Sequence, residues 1–162
     1  MKGSAKVLAQ LNALLTEELS SADQYFVHSN MYRDWGFAAL HERIGHEWRE
    51  ELGHAEKVIE RILFLEGTPD VAKRGPLRIG KSVPEMLRND LEKEYSVISF
   101  LKASIALCEE EQDYQTRALL RQLLEDSEVD HAYWLEIQLR LIESMGLNNY
   151  LQSAACGGSA PA

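Results

Sequence analysis

Apolar residues return every three or four positions along nearly the whole chain, the period of a helix that buries one face. From Ser4 to about Trp35 the stripe holds Val7, Leu8, Leu11, Leu14, Leu15, Leu19, Ala22, Tyr25 and Phe26, and Gly36 breaks it. From Phe37 to Leu65, Leu40, Ile44, Trp48, Ala55, Val58, Ile62 and Leu65 share a side, and Glu66-Gly67-Thr68-Pro69 predicts the stop. Residues 68–82 carry Pro69, Gly75, Pro76 and Gly80 without any period, so they read as a long connection. A third helix starts at Ser82 as N-cap, with Pro84 in its first turn and Glu85 at the capping-box position. Its stripe runs through Leu87, Leu91, Ile98, Leu101, Ile105 and Cys108. The polar run 109–113 separates it from a fourth helix over Tyr114 to Met145, whose stripe includes Leu120, Leu124, Leu135 and Ile142. Gly146 ends that helix, and Asn148 caps a short fifth one through Leu151.

The fold class that follows is all-α: a four-helix bundle in which the long crossover lets the third helix run parallel to the second. Residues 1–153 form one domain, and 154–162, rich in Ala, Gly and Ser, form a mobile tail.

Six side chains interrupt the apolar stripes. Glu51 and His54 make one E-x-x-H pair and Glu128 and His131 a second, and a helix sets residues three apart on one face. Glu18 precedes Glu51 by 33 residues and Glu94 precedes Glu128 by 34, so the order Glu, then E-x-x-H, occurs twice. One glutamate from each of two helices and an E-x-x-H from each of two others is the ligand set of di-iron and di-manganese carboxylate bundles. A lone E-x-x-H is common on solvated helix faces, and a lone Glu in a stripe usually reaches water along its stem. Four carboxylates and two imidazoles in one core are different: each uncompensated charge costs several kcal/mol, and two divalent cations neutralise all four carboxylates. Oxygen and nitrogen donors without thiolate suit iron or manganese, and zinc as well.

With 26 acidic against 17 basic side chains, the formal charge of −9 argues against a nucleic-acid backbone as partner. The two cysteines, Cys108 and Cys156, are too few and too far apart for a disulfide framework or a sulfur-ligated metal. Cys108 reads as core and Cys156 as an exposed thiol. The start of the chain has no apolar h-region, and no apolar run reaches membrane-spanning length, so a cytoplasmic protein is expected.

Met1-Lys2-Gly3, Gln24-Tyr25-Phe26, the run Ile59-Glu60-Arg61-Ile62-Leu63-Phe64-Leu65-Glu66-Gly67, Glu85-Met86-Leu87-Arg88, Met145-Gly146-Leu147 and Asn149-Tyr150-Leu151-Gln152 resemble the bacterioferritin family over nearly the whole chain up to Gln152. The resemblance implies a ferritin-like four-helix bundle with one long crossover and a short fifth C-terminal helix. It implies a shell of twenty-four subunits that oxidises Fe(II) at an intrasubunit di-iron ferroxidase centre, with dioxygen or peroxide as oxidant, and stores ferric mineral inside. Carried over position by position, Glu18 and His54 are terminal ligands of one iron, Glu94 and His131 of the other, and Glu51 and Glu128 bridge. One residue is added between Glu94 and Glu128 relative to the family spacing, most easily absorbed near Glu109 to Asp113.

The departure from the family is Leu52, which stands where a methionine sulfur ligates haem at the subunit dimer axis. Leucine has no donor atom, and neither Met31 nor Trp48 occupies that position, so haem is not expected. The chain resembles the haem-lacking branch: a homopolymeric store, or the oxidase subunit of a shell mixed with a haem-binding bacterioferritin subunit. The family's ferredoxin partner docks over the haem edge and loses that reason to bind here. Other di-metal bundles, such as a hydroxylase, a rubrerythrin or a manganese catalase, are alternatives, although the chain has no thiolate-rich rubredoxin segment. His46 and Glu50 resemble the family's inner-surface iron site, with Glu in place of Asp. Tyr25, two turns after Glu18, is either a hydrogen-bond donor behind the ligands or a core tyrosine. His28 and His41 fit no pattern.

Overall fold

The computed structural model describes residues 2–156. They form α1 (Ala5–Asp34), α2 (Ala38–Phe64), α3 (Val83–Glu110), α4 (Tyr114–Glu125), α5 (Tyr133–Met145) and α6 (Leu147–Ala155), with α4 and α5 joined through a wide turn, Asp126–Ala132, wound in the π geometry. The four-helix bundle is thus α1, α2, α3 and the α4–α5 rod, with α6 as the short C-terminal helix. The most extensive pairing is that of α1 with α2; α3 packs on α1 and along the whole α4–α5 rod. No helix among the described residues is long and apolar enough to cross a membrane.

The boundaries follow from local chemistry. Gly36 takes φ +82, a left-handed conformation without steric cost in glycine, and ends α1. At the end of α2 the left-handed residue is Glu66, φ 61, not the glycine after it; Gly67 N–H then bonds back to Ile62 O at 2.9 Å. The Ser82 side chain accepts from Glu85 N–H as the expected N-cap, while the Glu85 carboxylate returns to Lys81 N–H at 2.8 Å, one residue before the Ser82 N–H of a capping box. Asp113 caps α4 by accepting from Thr116 N–H at 3.0 Å.

Two expectations are corrected. The fourth helix is not a uniform α-helix, because the i→i+5 bonding of residues 126–132 takes in more residues per turn. The turn between α3 and α4 is short, and the irregular winding lies in the second E-x-x-H. The C-terminal helix, expected through Leu151, extends to Ala155, with Ala154 buried beside Tyr150. Residues 157–162 of that tail lie outside the described residues.

The crossover has no helix or strand, yet α1 holds it with a row of polar residues spaced by four or eight. Asn12 Oδ1 accepts from Asp70 N–H at 2.7 Å, Ser20 Oγ from Gly75 N–H at 2.8 Å, Gln24 Oε1 from Arg78 N–H at 2.9 Å, and His28 Nε2 from Gly80 N–H at 3.2 Å. His28 accepts at Nε2, so its proton sits on Nδ1 and is donated to the buried Asp90 of α3. The histidine without a sequence pattern therefore joins α1, the crossover and α3.

Candidate metal centre

Each rod of the bundle carries apolar residues at both ends and a polar interruption between them. In α1, Leu14 and Leu15 belong to one buried cluster and Tyr25 and Tyr32 to another, with Glu18 between. The same holds for Glu51 and His54 between Ile44 and Val58, for Glu94 between Leu87 and Val97, and for His131 between Leu123 and Leu135. Helices of similar length packed side by side bring these interruptions to one level, a polar belt inside an apolar core.

Glu18, Glu51, His54, Glu94 and His131 are at most 3 % exposed. They fall into two trios that share a member: Glu18, Glu51 and His54, and Glu51, Glu94 and His131, with the ligand atoms of each trio within 4.8 Å of one another. His54 Nδ1 lies 3.7 Å from Glu18 Oε2 and 3.6 Å from Glu51 Oε2. His131 Nδ1 lies 3.0 Å from Glu51 Oε1 and 3.5 Å from Glu94 Oε1. The two imidazoles stack with centroids 6.0 Å apart. Both Glu18 oxygens, one oxygen each of Glu51 and Glu94, and Nδ1 of both histidines are buried without a hydrogen bond of proper geometry. Orphaned donors of this kind are rare in a packed interior and costly. A pair of divalent cations fits them, with Glu51 shared between the two.

The electrostatics show the strain of holding these groups together. Burial, reinforced by the Glu51 charge, pushes the Glu18 carboxyl up to about 8. Burial also opposes ionisation of Glu51, but its bonds to His131 and His54 prevail and hold it well below the usual carboxylate range. Burial disfavours a charged His54, yet Glu18 and Glu51 raise it to about 10. His131 is raised further, against burial, by Glu47, Glu51 and Glu94. Glu94 is raised by burial, partly offset by His131. Protons on Glu18 and the two imidazoles thus do the neutralising that cations would do. Tyr25 is fully buried and donates its hydroxyl to Glu94 Oε1, so it stands directly behind a member of the second trio.

Glu128 is the sequence-derived ligand that the fold does not bring to the belt. It is about half exposed and accepts from Lys102 Nζ at 2.8 Å. The π winding is the reason. With i→i+5 bonding, residues four apart, rather than three apart, share a face, so Ser127 and His131 are both buried and Glu128 is turned outward. The Ser127 hydroxyl has no hydrogen-bond partner.

Two residues at the belt escaped the sequence reading. Asp126 Oδ2 lies 3.2 Å from His54 Nε2, and Glu47 Oε2 lies 2.5 Å from His131 Nε2, so the outer edge of each imidazole faces a carboxylate. Glu47 sits one turn before Glu51, which is a detectable signal. Trp48 stood in the expected stripe in its place, but it is only partly buried and packs on the half-exposed Phe26 at 4.7 Å.

His46 Nε2 and Glu50 Oε1 lie 3.3 Å apart on the open side of α2, and Glu50 also reaches His131 Nε2 at 3.1 Å. Leu52 is 41 % exposed, in a shallow groove with Leu19 and Ile59. Cys108 is core, its thiol pushed up to about 11 by burial, and Cys156 is exposed.

The fold is a helical bundle, and its core holds two groups of carboxylates and imidazoles able to hold metal. A ferritin-like domain model matches residues 8–145. The chain is 60 % identical over 153 residues, 94 % of its length and 98 % of the relative's, to a bacterial ferritin from Synechocystis sp.. It is 56 % identical over 156 residues, 96 % of its length and 95 % of the relative's, to a bacterial ferritin from Paramagnetospirillum magnetotacticum. A bacterioferritin from Mycobacterium leprae is 42 % identical over 161 residues, covering 99 % of both chains. The chain belongs to the ferritin-like family.

Proposed function

We propose that this protein stores iron by oxidising Fe(II) at the paired centre and depositing ferric product inside a shell of twenty-four copies in the cytoplasm. The observation that carries the reading is Glu51, a buried carboxylate set between two imidazoles whose facing nitrogens have no hydrogen bond of proper geometry. Glu18 and His54 hold one iron, Glu94 and His131 the other, and Glu51 bridges. Two Fe(II) ions supply two electrons, which with two protons reduce dioxygen to hydrogen peroxide, or hydrogen peroxide to two waters. Loading drives protons off Glu18, His54 and His131, because each binds metal only in its deprotonated form. Tyr25 orients Glu94 through its hydroxyl.

Charge favours a sixth ligand. Glu18, Glu51 and Glu94 bring three negative charges against four positive ones, and Glu128 makes the set neutral. Glu128 joins by leaving Lys102 as the wide turn rewinds, a movement suited to an irregular segment of helix. Glu128→Gln is expected to keep the fold and shell while slowing Fe(II) oxidation by at least about tenfold, as loss of ligand-sphere groups commonly does. Stopped-flow oxidation at the wild-type rate in that variant would show that five residues suffice.

The experiment that tests the main reading is aerobic Fe(II) addition to the purified homopolymer: fast oxidation with iron retained in the assembled particle is expected. Rapid oxidation followed by release or precipitation outside would reject storage. Leu52 favours a second reading, in which the chain is the oxidase subunit of a shell whose haem and electron exit belong to another subunit. The homopolymer is expected to purify without haem, since Leu52 offers only carbon where an axial sulfur is needed. A stoichiometric six-coordinate low-spin spectrum after haem reconstitution would overturn this.

A further inference from the structure

The two imidazoles of the belt are not held alike. His54 Nδ1 faces Glu18 and Glu51 at 3.7 and 3.6 Å without a hydrogen bond of proper geometry, whereas Nε2 meets Asp126 Oδ2 at 3.2 Å. That contact is the one hydrogen bond of the His54 ring among the described residues. His131 is backed twice at the same nitrogen, by Glu47 Oε2 at 2.5 Å and by Glu50 Oε2 at 3.1 Å. Removing one carboxylate therefore leaves His131 supported, but removing Asp126 leaves His54 with nothing behind it.

Asp126 reaches His54 because of the wide turn. At 3.6 residues per turn, a regular helix would set Asp126 about 140° round from His131, five residues on. The i→i+5 bonding of Asp126–Ala132 takes in more residues per turn and brings Asp126 round to the side of α2. Its side chain is 47 % exposed, and no lysine or arginine pairs with it among the described residues. An ionised carboxylate can only accept, so Nε2 is the donor in this contact. The nitrogen that keeps its proton is then Nε2, and the one left to take a cation is Nδ1.

We propose that Asp126 is a positioning residue for the trio of Glu18, Glu51 and His54: it fixes the rotation of the His54 ring and keeps the proton on Nε2, so that Nδ1 is presented to the cation. A carboxylate behind a metal-binding imidazole sets its tautomer and orientation and raises its basicity. This role rests on the metal pair put forward above and not on its oxidation chemistry. Glu128 turns inward without dislodging Asp126, because the extra residue of the wide turn can shift to the step between the two.

The test is a series of Zn(II) concentrations on crystals of the assembled protein, with anomalous difference maps at the zinc edge giving the occupancy of each position. In the wild type one peak is expected in each trio, with Asp126 still at His54 Nε2. Asp126→Ala should weaken the position at Glu18 and His54 by about tenfold or more, the usual cost of losing such a partner, and leave the position at Glu94 and His131 filled as before. Asp126→Asn, whose amide oxygen still accepts from Nε2, should recover most of that loss. An unchanged first position in Asp126→Ala, equal weakening of both positions, zinc bound by Asp126 or by His54 Nε2, or Asp126 withdrawn from the loaded ring would overturn the proposal. Zinc absent from both trios of the wild type would reject the paired centre itself, and the proposal with it.

Discussion

Replacing Glu51 by alanine is expected to slow Fe(II) oxidation on the order of a hundredfold or more, the largest effect of any single substitution in the belt. Glu18 and Glu94 each serve one trio, whereas Glu51 serves both. Its loss leaves each metal short of a donor and removes the link that fixes their separation. The same change affects the protein without metal, because Glu51 is the carboxylate facing both His54 and His131. Without it the charged imidazoles lose their shared partner in a core that solvates them poorly. Glu51→Gln keeps the shape and separates the two effects. It should fold more nearly like the wild type while still failing to bind two metals. Stopped-flow oxidation and metal counting on both variants check this, and a wild-type rate in Glu51→Ala would refute the shared-ligand assignment.

The second large effect is a divergence of metal-free and metal-loaded stability with pH. Glu18 is raised from 4.5 to about 8 by burial and the Glu51 charge. Between those values the folded chain holds a proton that the unfolded chain has lost, so stability falls as pH rises. His54 is raised from 6.5 to about 10 by Glu18 and Glu51, against burial. Its contribution is fully present below about 6.5 and is lost as pH rises through 10. Both groups act in the same direction, so the melting temperature of the metal-free protein should drop from mildly acidic to alkaline pH. Glu51 is depressed and acts oppositely only in acid, as pH falls below the ordinary carboxylate value.

Metal binding reverses the trend, because cations displace the protons that Glu18 and the imidazoles carry and bind more tightly as pH rises. A cation at a hundred times its dissociation constant adds about 2.7 kcal/mol. The gap between loaded and metal-free melting temperatures, measured with Zn(II), should therefore widen steadily from about pH 6 to about pH 8, across the Glu18 transition. A gap that is constant or shrinks with pH, with binding confirmed separately, would show that the belt groups are not the ligands.

Much of this molecule is legible without coordinates because helices carry short-range signals. The stripe from Val7 to Tyr25, the glycine after Trp35 and the Ser82 cap each depend on neighbours within a turn or two, and each lies where the periodicity placed it. Five of the six expected ligands also meet, because Glu18, Glu51, His54 and Glu94 lie on regular helix and His131 keeps its place on the buried face. A fixed angle per residue carries a spacing of three directly into a shared direction.

That argument fails where the angle per residue changes. Glu128 has the same spacing to His131 as Glu51 has to His54, yet it pairs with Lys102 at the surface, while Asp130 is drawn to Arg43. The sequence by itself determined the helices, the bundle and the charged residues that interrupt its apolar stripes, since periodicity and charge follow from residue order and residue chemistry. Tertiary structure alone decided which carboxylates face which imidazole edge, and that Glu47 and Asp126 stand behind the histidines. Winding within the rod is settled by packing between helices, where contacts of high sequence separation outweigh a difference of one hydrogen-bond register in the backbone.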